Sequence, residues 1–240
     1  MPADYLPLQI LFTTPLPLLL LCLAGHITAI KSIFSRSRNA LIYGMLLLTW
    51  CFPFLYALLD RDLIIYNGWR HFYFLYGPLV IFMGIGGYAI SKIRKGQKLM
   101  PILSGGLMLY LAFLLLIGHP YQYSYINFLA KRPAEENWQL DYWCVTEYQV
   151  LEKLYKSNDR NPLLPLTVSG PVNTLSHTII TFGNCWNYEI TYLDGLDAAS
   201  ANYLICNQTY DRQVPEEYHL LFSVNAYGNC LYRVYERNRN

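Results

Sequence analysis

A chain of 240 residues with 54% hydrophobic side chains, 14% charged ones and a positive mean hydropathy is too apolar for an ordinary soluble domain. Its net charge of +2 follows from basic residues in short loops between apolar stretches and gives no ground for nucleic-acid binding. Of the 16 acidic residues only Asp4, Asp60 and Asp62 precede Gly118, so the chain changes character there. The expected fold class is an α-helical membrane protein: about four transmembrane helices within 1–118, then a small extracytoplasmic α/β domain over 119–240.

The predicted spans lie near 15–34, 40–59, 72–91 and 99–118. Each approaches the roughly 20 apolar residues that cover a hydrocarbon core at helical rise. Thr14 is placed to cap the first, and Pro15 suits the first helical position, where a missing N–H costs nothing. Tyr5 to Thr13 then reads as an interfacial lead-in. A secretory signal peptide competes for "LPLLLLCLAG", but no Lys or Arg precedes it and Asp4 stands where positive charge belongs.

Orientation follows from the loops. Lys31, Arg36 and Arg38 follow the first span, and Lys92, Arg94, Lys95 and Lys98 follow the third; only Arg61 and Arg70 lie between the second and third. The positive-inside rule puts the two basic loops in the cytoplasm, and both chain ends with the Asp60 to His71 connection outside it. The spans carry almost no ionisable residue apart from His26, which speaks against a transporter; His26 is expected near a helix end or bonded to a backbone carbonyl.

"NGWRHFYFLYGPL" then sits at the outer mouth of the third span, and "HPYQYSYINFL" begins where the fourth ends on the same side. One reading makes Trp69, Tyr73, Tyr121, Tyr123 and Tyr125 an aromatic girdle at headgroup level. A sharper one has Arg70, His71 and His119 converge on an anion, because arginine offers phosphate a rigid bidentate fork. The D-x-D triplet of Asp60 and Asp62 invites a divalent metal, against the plainer reading of a solvated helix terminus.

In the back half, "TEYQVLEKLYKSN" has the Thr146/Gln149 spacing of a capping box and gathers Val150, Leu151, Leu154 and Tyr155 on one helical face. Strands are predicted around Val168 and Leu204, with a closing hairpin turning between Ala226 and Asn229. Along its last strand Tyr232 and Val234 face one side, and Leu231, Arg233 and Tyr235 the other. The outer acids Asp141 and Glu147 carry no sign of a paired acid/base site. Cys144, Cys185, Cys206 and Cys230 permit disulfides in any of three full connectivities, and none has the C-x-x-C spacing of a zinc or redox site. "NQT" at Asn207 fits a glycosylation acceptor.

Taken in order, "YNGWRHFYFLYGPL", "HPYQYSYINFL" and "WQLDYW" resemble the C-terminal half of bacterial membrane glycosyltransferases of the GT-C fold, the protein-mannosyltransferase and aminoarabinose-transferase superfamily. The lead-in "DYLPLQILFTTPLPLLLL" resembles the entry into one of their later spans. The resemblance covers most of Tyr5 to Trp143. The chain departs from it at Asn67, where aspartate is usual, at Gly77, where proline is, and at Cys144, where glycine is.

The resemblance implies transfer of a sugar from a polyprenyl-phosphate donor at the outer face of the inner membrane. That chemistry needs a carboxylate base to activate the acceptor and cations to stabilise the departing lipid phosphate. The family's key acid lies in a first outer loop that has no counterpart here. The expectation is therefore a C-terminal part, inactive alone and joined to an N-terminal half or partner subunit. The alternative is a non-catalytic membrane subunit presenting its outer domain.

Overall fold

A computed structural model describes residues 4–59, 68–93, 96–130, 134, 138, 140–158, 166–170, 174–182, 190–193, 200–207 and 214–238, with the side chains of 57–59 excepted. The chain divides into two compact units, one of Met1–Leu116 with Ile126–Ala130, the other of Ile117–Tyr125 with Lys131–Asn240.

The first unit is helical. It contains α1 (Tyr5–Thr13), α2 (Leu16–Phe34), α3 (Ala40–Leu59), a 3-10 turn (Arg70–Leu75) that runs into α4 (Tyr76–Ser91), and most of α5 (Gly96–Gly118). Leu16–Phe34, Arg70–Ser91 and Gly96–Gly118 are long and apolar enough to cross a membrane; the apolar stretch described in α3, Ala40–Tyr56, is shorter. The lead-in is itself a helix, and α2 does not start on a threonine cap. Its N-cap is Pro15, extended at ψ 134° and without a side-chain capping bond, and the Thr14 carbonyl accepts from Asn127 Nδ2 at 2.9 Å.

The third predicted span is a composite helix. Six residues of 3-10 turn precede the α-helical pitch, with Phe72 at φ −112°. Pro78 follows in the first turn of α4, where its absent N–H is tolerated. The fourth span begins at Gly96, ahead of Leu99.

Helices α2 and α4 approach through glycine. A Cβ on Gly25 would fall on the Phe82 carbonyl oxygen, and one on Gly86 on that of Leu21. Small residues let two helix backbones approach this closely. Leu6 and Ile10 of α1, Trp69 and Leu75 of the turn, and Leu79 and Phe82 of α4 are buried in the same core. His26 stacks on Phe82 at 3.8 Å and donates from Nδ1 to the Cys22 carbonyl at 2.8 Å, the local bond expected of it. No residue in the most apolar stretch of α5 is buried.

The second unit carries a five-stranded sheet: β1 (Leu166–Ser169), β2 (Ile190–Tyr192), β3 (Tyr203–Asn207), β4 (Tyr218–Ala226) and β5 (Asn229–Arg237), in the order β2-β1-β3-β5-β4. β1 is parallel to β2 and β3, while β5 is antiparallel to β3 and β4. Two helices, α6 (Thr146–Asn158) and α7 (Thr174–Phe182), pack on each other, and α6 packs on β5. Val150, Leu151 and Leu154 of α6 are wholly buried, the helical face predicted from their spacing. Tyr232 and Val234 are also fully buried, as is Leu231, which was expected on the opposite side; Arg233 and Tyr235 are half-buried. Tyr227 and Gly228 have φ of 52° and 76°, the two positive values of a tight hairpin turn that matches strand twist.

No disulfide joins Cys144, Cys206 and Cys230, and Cys185 lies outside the described residues. Asn207 is 9% exposed at the end of β3, a poor position for a glycan.

Candidate functional site

The structure anchors the "NGWRHFYFLYGPL" stretch on α1. Tyr5 donates to the Gly68 carbonyl at 3.2 Å, and the Trp69 indole N–H donates to Thr13 Oγ1 at 3.2 Å. Gly68 has φ 71°, a left-handed turn that glycine adopts without strain. Trp69 is 4% exposed, with Tyr76 at 4.5 Å and Tyr73 at 5.6 Å between ring centroids. It is therefore a core residue rather than a member of an aromatic girdle. Holding both Gly68 and Trp69 fixes where the next two side chains, Arg70 and His71, leave the turn.

Arg70 is half-buried and His71 exposed. Beside them, α3 and the 3-10 turn bound a groove of about 850 Å³. Leu48, Cys51, Phe52 and Leu55 recur along one face of α3 and line it, with His71, Phe72 and Phe74 across from them. Phe72 is buried while Phe74 is exposed, so the wall is continuous with the core on one side and open on the other. Polar side chains in the lining are few: Thr49, which donates to the Met45 carbonyl at 3.0 Å, Tyr56 and His71. Such a groove suits a long apolar chain with a polar end.

His119 belongs to the second unit, where Gln122 Nε2 donates to its Nδ1 at 3.1 Å and the His119–Pro120 peptide is cis. Asp60, Arg61 and Asp62 lie outside the described residues.

The second unit contains a carboxylate cluster around the start of α6. Asp141, 4% exposed, accepts from the Tyr123 hydroxyl, from Val145 N at 3.1 Å and from Thr146 N at 3.0 Å. It takes up backbone donors at the head of α6, and the Thr146 hydroxyl is buried without a partner, so the predicted capping box does not form. Tyr123 is thereby also removed from any girdle, and Tyr125 packs edge-on against Tyr227 at 5.2 Å.

Glu147 is fully buried. It accepts from Thr174 Oγ1 at 2.5 Å, Thr178 Oγ1 at 2.7 Å and the Tyr232 hydroxyl at 3.3 Å. Burial pushes its carboxyl above the usual range, and the hydroxyl donors pull the other way. Burial and the neighbouring carboxylate raise the Tyr123 and Tyr232 hydroxyls, so both remain donors at neutral pH. Burial raises the Cys144 thiol as well, which disfavours the thiolate. Glu147 holds α6 to α7 and β5, and Asp141 holds Tyr123 to the head of α6; both buried, they are not placed to take a proton from an outside acceptor. Sequence reading passed over the cluster because its partners come from residues as far apart as Tyr123 and Tyr232, in no local motif.

No family model matches the chain, and no match was found among curated proteins or solved structures.

Proposed function

We propose that the chain is the lipid-donor part of an integral membrane glycosyltransferase of the GT-C kind. In this reading the groove beside α3 holds the chain of a polyprenyl-phosphate-linked sugar, and Arg70 and His71 meet its phosphate. The observation that carries the reading is the 850 Å³ apolar groove with His71 on its wall and Arg70 one residue away. An amphiphile with an anionic head and a long tail has the chemistry that this arrangement complements. The second unit lies on the extracytoplasmic side, following the distribution of Lys and Arg among the loops.

A second reading, a non-catalytic membrane subunit presenting its outer domain, is favoured by the enclosure of Asp141 and Glu147, which keeps the two carboxylates at the start of α6 away from an outside acceptor. The two readings share the groove and differ in turnover when an N-terminal half is supplied. The purified chain alone is expected to transfer no sugar from a polyprenyl-phosphate donor; turnover would point first to Asp60 and Asp62.

The test of the site is polyprenyl-phosphate binding to the wild type, Arg70→Lys and His71→Ala in detergent at fixed salt. Lysine keeps the charge but lacks the fork, so a bidentate grip predicts weakening by about 1.5–3 kcal/mol. Equal affinities for all three proteins would remove the phosphate site.

A further inference from the structure

We infer that the loop bearing Trp143 is a membrane-surface anchor, seated among lipid headgroups beside the end of α5. The loop is held rigidly. Asp141 bonds Val145 N and Thr146 N at its far end, and Cys144 takes φ 55°, a left-handed conformation uncommon outside glycine. Despite that order, Trp143 is 54% exposed and Val145 42%. A mobile loop could turn such side chains inward; this one is tied with them facing out.

The loop's address supplies the occupant. Gly118, the last residue of α5, belongs to the same unit as Trp143, and α5 is of membrane-crossing length and composition. Tyr227, at the tip of the β4–β5 hairpin, lies so close to Gly118 that a Cβ there would meet its ring. Five residues beyond Gly118, Tyr123 bonds Asp141 and packs edge-on against Tyr142 at 6.4 Å, and Tyr142 in turn lies 5.4 Å from Trp143. The exposed indole is thus linked by consecutive ring contacts to Tyr123, five residues along the chain from the end of a membrane-length helix. Tryptophan with an apolar neighbour at that level suits the headgroup region, where its ring is buried and its N–H stays wet. The inference does not depend on what the groove binds.

The experiment uses the whole chain in phosphatidylcholine/phosphatidylglycerol vesicles. Emission from the wild type and from Trp143→Phe is compared, so that the difference belongs to Trp143 among the 5 tryptophans. The exposed position makes the substitution mild for folding. The expected result is that a nitroxide carried on the lipid headgroup quenches this difference emission and aqueous iodide quenches it little. Quenching by iodide and not by the labelled lipid would overturn the inference, and so would protection from both, which would indicate a protein cover.

Discussion

Gly25 of α2 lies against the Phe82 carbonyl of α4 with no room for a methyl group, and Gly86 repeats the arrangement against Leu21. Two backbones in contact cannot both stay in place when a side chain is added between them. Gly25→Leu and Gly86→Leu are therefore expected to destabilise the helical unit by about 1–3 kcal/mol, the usual range for overpacking. Gly44, where an added methyl group would have nothing within 4 Å, is the control, and Gly44→Ala should cost nothing. Thermal unfolding in detergent checks this; equal midpoints for all three variants would mean that α2 and α4 do not meet through glycine.

Asn127 ties its own segment to α1. Its Nδ2 donates to the Leu11 carbonyl at 2.6 Å and the Thr14 carbonyl at 2.9 Å, while its Oδ1 accepts from Leu129 N at 3.0 Å. Asn127→Ala should cost about 1–3 kcal/mol, because it takes the donor from the buried Thr14 carbonyl and the part-buried Leu11 carbonyl. Asn127→Asp should be worse, since it keeps the Leu129 bond but turns an oxygen toward two oxygens. The order of unfolding midpoints, wild type above Ala above Asp, is the readout, and an aspartate variant as stable as wild type would contradict the bonding.

Glu147 makes the second unit's stability depend on pH in a definite sense. Its carboxyl is raised in the fold above the ordinary 4.5, so within that window the folded state binds more protons than the unfolded one. Stability is then greatest at the acid side of the window and declines as pH rises from about 4.5 through the raised value. Glu147→Gln retains an acceptor for Thr174 and cannot ionise, so the decline should flatten in that variant. Unfolding of the wild type and variant across this range, followed by sheet circular dichroism, decides it; parallel curves would show that Glu147 is not the group responsible.

The apolar helices, α6 and four strands were legible because each repeats a local signal: a long apolar run, a 3.6-residue face or an alternating strand. Others carry no such signal. β2 is three residues long, and α7 mixes Thr, Ser and His with its apolar positions Leu175 and Ile179. The girdle reading assigned Trp69, Tyr123 and Tyr125 to lipid because composition does not tell an interfacial ring from a packed one; Thr13, Asp141 and Tyr227, the partners that settle their places, are all distant in sequence. Likewise, "WRH" showed which cationic side chains cluster, but the groove beside them depends on the face α3 turns toward the 3-10 turn.

That groove offers the last prediction. If it holds an isoprenoid chain, binding in the wild type should strengthen from a two-isoprene phosphate to a long polyprenyl phosphate, since each added unit removes apolar surface from water. Cys51 lines the groove between Leu48 and Leu55 on the same face of α3. Cys51→Trp should fill part of the volume and weaken the long-chain ligand by about 1–3 kcal/mol. The two-isoprene phosphate should bind the variant as it binds the wild type, because Arg70 and His71 are untouched. Titration of both ligands into both proteins separates the possibilities: a wild type indifferent to chain length would empty the groove of its proposed role, and equal weakening of both ligands would place the damage at the phosphate end instead.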